Sequence, residues 1–339
     1  MIRAVRSVLF TGIGQVTAEE SRQSFDVGPR DVLIETHYSC ISAGTELAKL
    51  SGLQTIDFPV RIGNRAVGRV LEVGSEVSNV RKADLVFSHL HHTSHSLGAR
   101  LVCPLPDELD RPAAATLGLA LVAMTGVQTA AAELGDTAVV VGAGLVGQFA
   151  AQLLERAGVR TILVDLAAGR LAVARSCGVT RTVDASAEDS VPVVMELTGG
   201  EGADVVLECT GVPAAVESAP THARRSGTVV LVGSPRGSYQ GDLTKFLQRF
   251  HLWRPHGDLT LKGAHEWKIP AYSDGHGKHS MERNCRILAR LAVEGTLQLD
   301  PLVSRVYDPR TPADAYLDLQ ENGEHILGAV FDWSFGSGR

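Results

Sequence analysis

The stretch "TAVVVGAGLVGQFAAQLLERAG" constrains the chain more than any other. "TAVVV" is an unbroken apolar, β-branched run, the pattern of a strand buried on both faces in a parallel sheet. It ends in Gly142-Ala143-Gly144-Leu145-Val146-Gly147, after which apolar residues recur at helical period up to Gly158, a helix-ending signal. On such a strand-to-helix turn the first glycine permits a tight bend and the second lets backbone approach a pyrophosphate. The third allows close helix–strand packing, and the free N–H groups of the helix N-terminus attract phosphate. Asp165 closes the next apolar run, "VRTILVD", 23 residues beyond Gly142, a spacing close to that of an acid gripping adenosine ribose hydroxyls. A carboxylate there repels a 2′-phosphate, so NAD is favoured over NADP. A helix cap is the alternative role for Asp165. Arg170 stands open between a place near the adenine, a solvated helix charge, and a cation that restores NADP binding.

The theme continues in "ADVVLECTG" and "GTVVLVGS", with helical stretches such as "GRLAVARSCG" between them. Strands alternating with helices imply a parallel sheet covered on both faces, an α/β class. Before about residue 110 the chain is instead Gly-punctuated and strand-like, as in "DVLIETHYSC" and "RAVGRVLEVGS". After Trp267 come a polar loop rich in Gly and His, a helix over "MERNCRILARLAVEG", and a last strand in "HILGAVFDWS". With 339 residues there is material for two domains. A net charge of -6 without long like-charged runs argues against nucleic-acid binding, and no apolar run reaches membrane-span length. Five scattered cysteines without CxxC spacing read as reduced thiols of a cytoplasmic protein.

Over nearly its whole length the chain resembles the medium-chain dehydrogenase/reductase superfamily, on "AVGRVLEVGSEV", "LPDELDRPAAATLGLALVAMTG", the glycine turn, "VLECTGVPAAVESA" and "TVVLVGSP". The resemblance implies a β-rich, GroES-like catalytic domain over residues 1–115 and 267–339, and a Rossmann doubly wound coenzyme domain over 116–266. It implies that Thr125 lies beside the nicotinamide and that Thr210, Gly211, Val232, Gly233 and Ser234 line the coenzyme, with Gly142, Gly144, Leu145, Val146 and Gly147 under its phosphates. It also implies a homodimer paired through the stretch near Leu259–Lys262, acting on a small-molecule substrate.

The departures from the family are equally informative. Zinc-dependent relatives need thiolate and imidazole ligands with one open position. Here Ser42 or Ala43 stands at the cysteine position, Gly63-Asn64-Arg65 replaces Gly-His-Glu, and Leu121 replaces the third ligand; the four-cysteine lobe is missing too. No zinc is therefore expected. A metal-free site still has to move a proton, and histidine is the natural shuttle near neutral pH. The candidates are His91 or His92 in "FSHLHHTSH", with Ser42, Thr45 and Glu46 as a polar relay. In an extended strand His89 and His91 would share a face, with His92 opposite. Arg65 either holds an anionic group of the substrate or pairs with Glu46, the pairing being slightly favoured. His265 and Trp267, with Arg254 and His279, suit a polar, ring-bearing substrate.

Three functions follow, in this order. The first is a zinc-independent, NAD(H)-dependent oxidoreductase interconverting a secondary alcohol and ketone on a polar metabolite such as a sugar, a cyclitol or a natural-product intermediate. The second is an NADPH-dependent double-bond reductase of the enoyl or quinone type. The third is a non-catalytic NAD-binding regulator.

Overall fold

The computed structural model describes residues 1–98, 101–253 and 256–334. The chain divides into two compact units, Val122–Lys268 and, around it in sequence, Met1–Leu121 with Ile269–Arg339. The first seam cuts the helix Leu117–Ala130, where no turn residue marks a boundary. The second leaves Trp267 in the central unit rather than in the outer one.

The central unit is built on six strands in the order Arg181–Asp184, Arg160–Asp165, Thr137–Val141, Ala203–Glu208, Ala223–Leu231, Thr260–Gly263. Every neighbouring pair is parallel. Val139, Val140, Ile162, Leu163, Val206, Leu207, Val229 and Val230 are fully buried, which is why these strands read as unbroken apolar runs rather than alternating ones. Helices Leu145–Arg156, Ala168–Ser176 and Ser190–Leu197 follow the first three strands in sequence. The first helix ends on Ala157, and Gly158 takes φ +78°, a left-handed conformation that glycine adopts without a Cβ penalty. The chain builds outward from Thr137–Val141 on one side, then returns to its other side with Ala203–Glu208. Strand order reverses between these two, and ligands of such sheets bind at the carboxyl ends of the strands flanking that reversal.

The outer unit is mostly antiparallel. One sheet runs Val303–Tyr307, Gly328–Asp332, Val32–Cys40, Ala66–Val73, Leu85–Ser88, Val102–Pro104, with His95–Gly98 also on Val32–Cys40. A second, three-stranded sheet joins Gln15–Ser24, Ile2–Gly12 and Val60–Arg61. Strand Gly328–Asp332 pairs with Val32–Cys40 through Val330 opposite Cys40, so the returning C-terminal segment completes the early sheet. Phe10, Ile41, Leu50, Tyr316, Phe331 and Trp333 form one core cluster that draws on both ends of the chain. Strand Leu85–Ser88 stops before the histidines, so the strand alternation expected for His89, His91 and His92 has no strand to act on. Among the described residues no helix is long and apolar enough to cross a membrane.

Candidate active site

In the central unit the glycine turn is shaped by three different demands. Gly142 takes φ +97°, and a Cβ there would stand 2.5 Å from the Thr210 methyl. A Cβ on Gly147 would stand 1.7 Å from the Gly142 carbonyl oxygen, so the helix can lie this close to the strand only without a side chain. Gly144 meets nothing within 4 Å and caps the helix Leu145–Arg156, whose first N–H groups have no intrahelical partner. Leu145 is buried against the fold and Val146 half-buried.

Asp165 lies beside this turn. One carboxylate oxygen accepts from Ala143 N–H at 2.5 Å and the other from Ala167 N–H at 2.7 Å. Each oxygen keeps a lone pair for a further donor, so the residue both fixes the turn and retains capacity for a sugar hydroxyl. Helix Ala168–Ser176 has Ala167 at its N-cap without a side-chain bond, so Asp165 is not the cap of that helix in the ordinary sense. The Arg170 carbonyl accepts from Gln148 Nε2, tying its helix to the first one.

The loops after the neighbouring strands meet the turn. Gly211, at φ +67°, would bring a Cβ within 2.6 Å of the Ser234 carbonyl, and a Cβ on Gly233 would stand 2.2 Å from Gly211 N. Thr125 is buried on the helix Leu117–Ala130, and its neighbour Gly126 abuts Val232. The expected coenzyme residues Gly142, Thr210, Gly211, Val232, Gly233 and Ser234 are thus brought into contact with one another. Glu208, missed from the sequence, lies among them. Its signal was an acid ending an apolar strand, directly before Cys-Thr-Gly.

In the outer unit Glu46 and His92 are 2% and 0% exposed and bonded to each other, Nε2 to Oε2 at 3.1 Å. The other ring nitrogen of His92 lies 2.8 Å from Ser39 Oγ, which also accepts from Trp333 Nε1 at 2.9 Å. Glu46 Oε2 accepts from Tyr316 OH at 2.6 Å and Oε1 from Ser42 N–H at 2.8 Å. Burial pushes the Glu46 carboxyl up, but the His92 charge and these donors outweigh it and hold the group below the usual carboxylate range. Glu46 and His92 therefore correct the sequence reading: both are core residues whose polar atoms are spent on internal partners. Ser42 contributes its backbone N–H and its carbonyl, which accepts from Thr45 and Glu46 N–H groups; its hydroxyl makes no cap bond. Thr45 is half-buried on the same helix, Ala43–Leu50.

Arg65 lies deeper than a surface cation. It is 3% exposed, and its side-chain stem lies where a Cβ on Gly118 would stand 2.0 Å from Arg65 Cδ. Its Nη1 donates to the Asn64 carbonyl at 3.5 Å, while Glu46 is engaged by His92, Tyr316 and Ser42. His91 behaves differently from His92. It is exposed, and its Nδ1 lies 2.9 Å from the Gly63 carbonyl, which can only accept, so Nδ1 carries the proton. The remaining nitrogen, Nε2, is then a free acceptor in the neutral ring. Partial burial lowers the His91 imidazole below its ordinary value, partly offset by the Gly63 bond. His265 and Trp267 are exposed neighbours in the central unit, where Trp267 N–H donates to His265 Nδ1 at 3.3 Å. Arg254 lies outside the described residues.

The residues at the family's metal positions offer a hydroxyl or methyl (Ser42 or Ala43), an amide (Asn64) and an isobutyl group (Leu121). Among the described residues no group of three or more His, Cys, Asp or Glu is placed to hold a metal ion. This donor set does not fit zinc, which takes thiolate, imidazole and carboxylate ligands in a tetrahedron. The dinucleotide does fit the turn, the acid beside it and the converging loops.

A parallel sheet of this kind, with a glycine turn at its switch point, is that of a dinucleotide-binding protein class. Residues 146–265 match the family model described as zinc-binding dehydrogenase. The D-guloside 3-dehydrogenase of Escherichia coli (strain K12) is 32% identical over 280 residues, covering 80% of this chain and 77% of that protein. Among solved structures, galactitol-1-phosphate dehydrogenase of Escherichia coli superposes with a TM-score of 0.82 at 19% identity, covering 96% and 99% of the two chains. A dehydrogenase of Sinorhizobium meliloti 1021 solved with NADP does so with 0.79 at 22%, covering 97% and 99%. The chain belongs to the medium-chain dehydrogenase/reductase superfamily, alcohol dehydrogenase-like, with its Rossmann and GroES-like domains. It is an NAD(P)-dependent oxidoreductase of the alcohol type.

Proposed function

We propose that this enzyme interconverts a secondary alcohol and a ketone on a polar metabolite with NAD(H), without zinc, and that His91 moves the proton. The observation that carries the reading is the seat of His91. Its imidazole is anchored on the carbonyl of Gly63, one residue before Asn64, which stands where metal-bearing relatives carry an imidazole ligand. Asp165 supports NAD, since its carboxylate opposes a 2′-phosphate at the ribose. Relatives named for a guloside and a galactitol phosphate support a sugar, cyclitol or similar polyol as substrate.

When bound, the dinucleotide supplies the hydride acceptor or donor. The chain's own part is to seat its pyrophosphate on the turn Gly142–Gly147 and its ribose against Asp165, and to move the hydroxyl proton through His91 Nε2. General base catalysis by such a group contributes about 10²–10⁴-fold. In the same reading two copies pair along the edge strand Thr260–Gly263, which among the described residues is bonded on one side only and leaves Leu261 43% exposed.

The test combines NADH and NADPH fluorescence titration with turnover of a polyol and ketone panel against an enone panel, with and without chelator. The expected result is tighter NADH binding and polyol–ketone turnover that chelator leaves intact. Stoichiometric, tightly held zinc, or enone reduction with NADPH alone, overturns the reading.

A further inference from the structure

Glu208 ends the strand Ala203–Glu208 at the point where strand order reverses, and its side chain is fully buried. Burial pushes the Glu208 carboxyl up, and the donors that partly oppose it, on Thr210 and Gly211, come from its own following loop. Oε1 accepts from Thr210 N–H at 2.6 Å and from the Thr210 hydroxyl. Gly211 N–H donates to both oxygens, at 3.2 and 3.1 Å. The Thr210 hydroxyl oxygen also accepts from Val212 N–H at 2.9 Å, carrying the tie forward to the helix Pro213–Ser218. The backbone carbonyl of Glu208 works in the opposite direction, accepting from Val232 and Gly233 N–H at 2.9 Å each. One residue thus bonds the loops after two adjacent strands, and Thr210, which it holds, presents its methyl to Gly142.

We propose that Glu208 is a positioning residue for the coenzyme: its carboxylate sets the Thr210–Gly211 loop that, with the glycine turn, forms the nucleotide crevice. The proposal rests on the dinucleotide reading above. Nothing in the chemistry brings Glu208 to the reacting atoms, because every donor it meets belongs to the loop. Its contribution is a crevice already in its binding shape, so the coenzyme spends no affinity on ordering it.

Glu208→Gln keeps the volume but turns one acceptor into an N–H₂ group facing backbone N–H donors. A buried backbone donor left without its acceptor costs enough that the loop loses its shape and NADH binding weakens about tenfold or more. Thr210→Ala removes the donor hydroxyl at the other end of the tie and is expected to weaken NADH in the same direction, by about three- to tenfold. Glu208→Gln with Thr210→Ala is expected to cost less than the sum of the two, because both break one network.

The experiment is fluorescence titration of NADH on the full chain and these variants, alongside hydrogen exchange at Thr210 and Gly211 and thermal unfolding without coenzyme. Weaker NADH binding together with faster exchange at those two amides supports the proposal. Unchanged NADH affinity in Glu208→Gln, with only the unfolding temperature lowered, overturns it by assigning the residue to stability alone. If Glu208→Gln does not fold, an unchanged affinity in Thr210→Ala overturns it equally. Failure of the unsubstituted chain to bind either NADH or NADPH instead defeats the dinucleotide reading itself, and this proposal with it.

Discussion

Glu46→Gln tests what the buried network of the outer unit does. Three donors converge on two carboxylate oxygens: Ser42 N–H on one, Tyr316 OH and His92 Nε2 on the other. The amide keeps one oxygen, so either Ser42 or the Tyr316–His92 side meets an N–H₂ group. An opposed buried donor costs about 1–3 kcal/mol, and each hydrogen bond to a charged carboxylate that is weakened costs about 1.5–3 kcal/mol. These overlap rather than add, so the expected loss is about 3 kcal/mol or more. At a slope of about 2 kcal/mol per molar urea, the midpoint falls by about 1.5 M. Trp333 donates into the same network and is buried, whereas Trp253 and Trp267 are exposed, so a blue-shifted emission reports this unit selectively. The carboxyl is held below its ordinary range in the folded state. Its stabilisation is therefore present above the unfolded value and lost as pH falls through the folded one. The unsubstituted protein should lose stability along that acid limb, and Glu46→Gln should show a flatter profile there. A midpoint within about 0.3 M of the unsubstituted protein, or an unchanged acid limb, refutes the assignment of a buried ionised carboxylate.

His91→Asn should lower turnover about a hundredfold; since burial holds the neutral ring below its ordinary value, alcohol oxidation should rise with pH through that lowered value and be level by neutrality, a limb the variant lacks. Gly147→Ala sets a Cβ against the Gly142 carbonyl and should abolish detectable NADH binding while lowering the unfolding temperature by several degrees, read by titration and thermal unfolding. Asp165→Asn removes the charge that opposes a 2′-phosphate, and the ratio of NADPH to NADH affinity should rise about tenfold, measured by competitive titration.

The central unit was legible because its signals are local: unbroken apolar strands, a glycine at each place where backbone must approach backbone, and an acid at a fixed distance. Gly142 and Gly147 do the work expected of them, a left-handed bend and a close helix–strand contact. The outer unit was less legible because its decisive contacts join residues remote in sequence. His92 and Glu46 look like chemistry on paper. Only the fold reveals that Tyr316 and Trp333, from the far end of the chain, close around them. The depth of Arg65 was hidden for a related reason, since the space it fills exists only because Gly118 has no side chain. Glu208 went unnoticed because an acid at a strand end is common; its three donors lie in the next residues but need the loop's bend to converge.

The pairing of Gly328–Asp332 with Val32–Cys40 has a consequence for biosynthesis. On the ribosome, the central unit has all of its strands before the last part of the chain emerges, and it can fold while translation continues. The early strands must wait with one flank bare and their aromatic core unfilled until Tyr316, Phe331 and Trp333 arrive. Newly made, half-finished chains are thus at their most vulnerable to mispairing and to chaperone capture along Val32–Cys40, and a stop codon only slightly early would leave that vulnerability permanent.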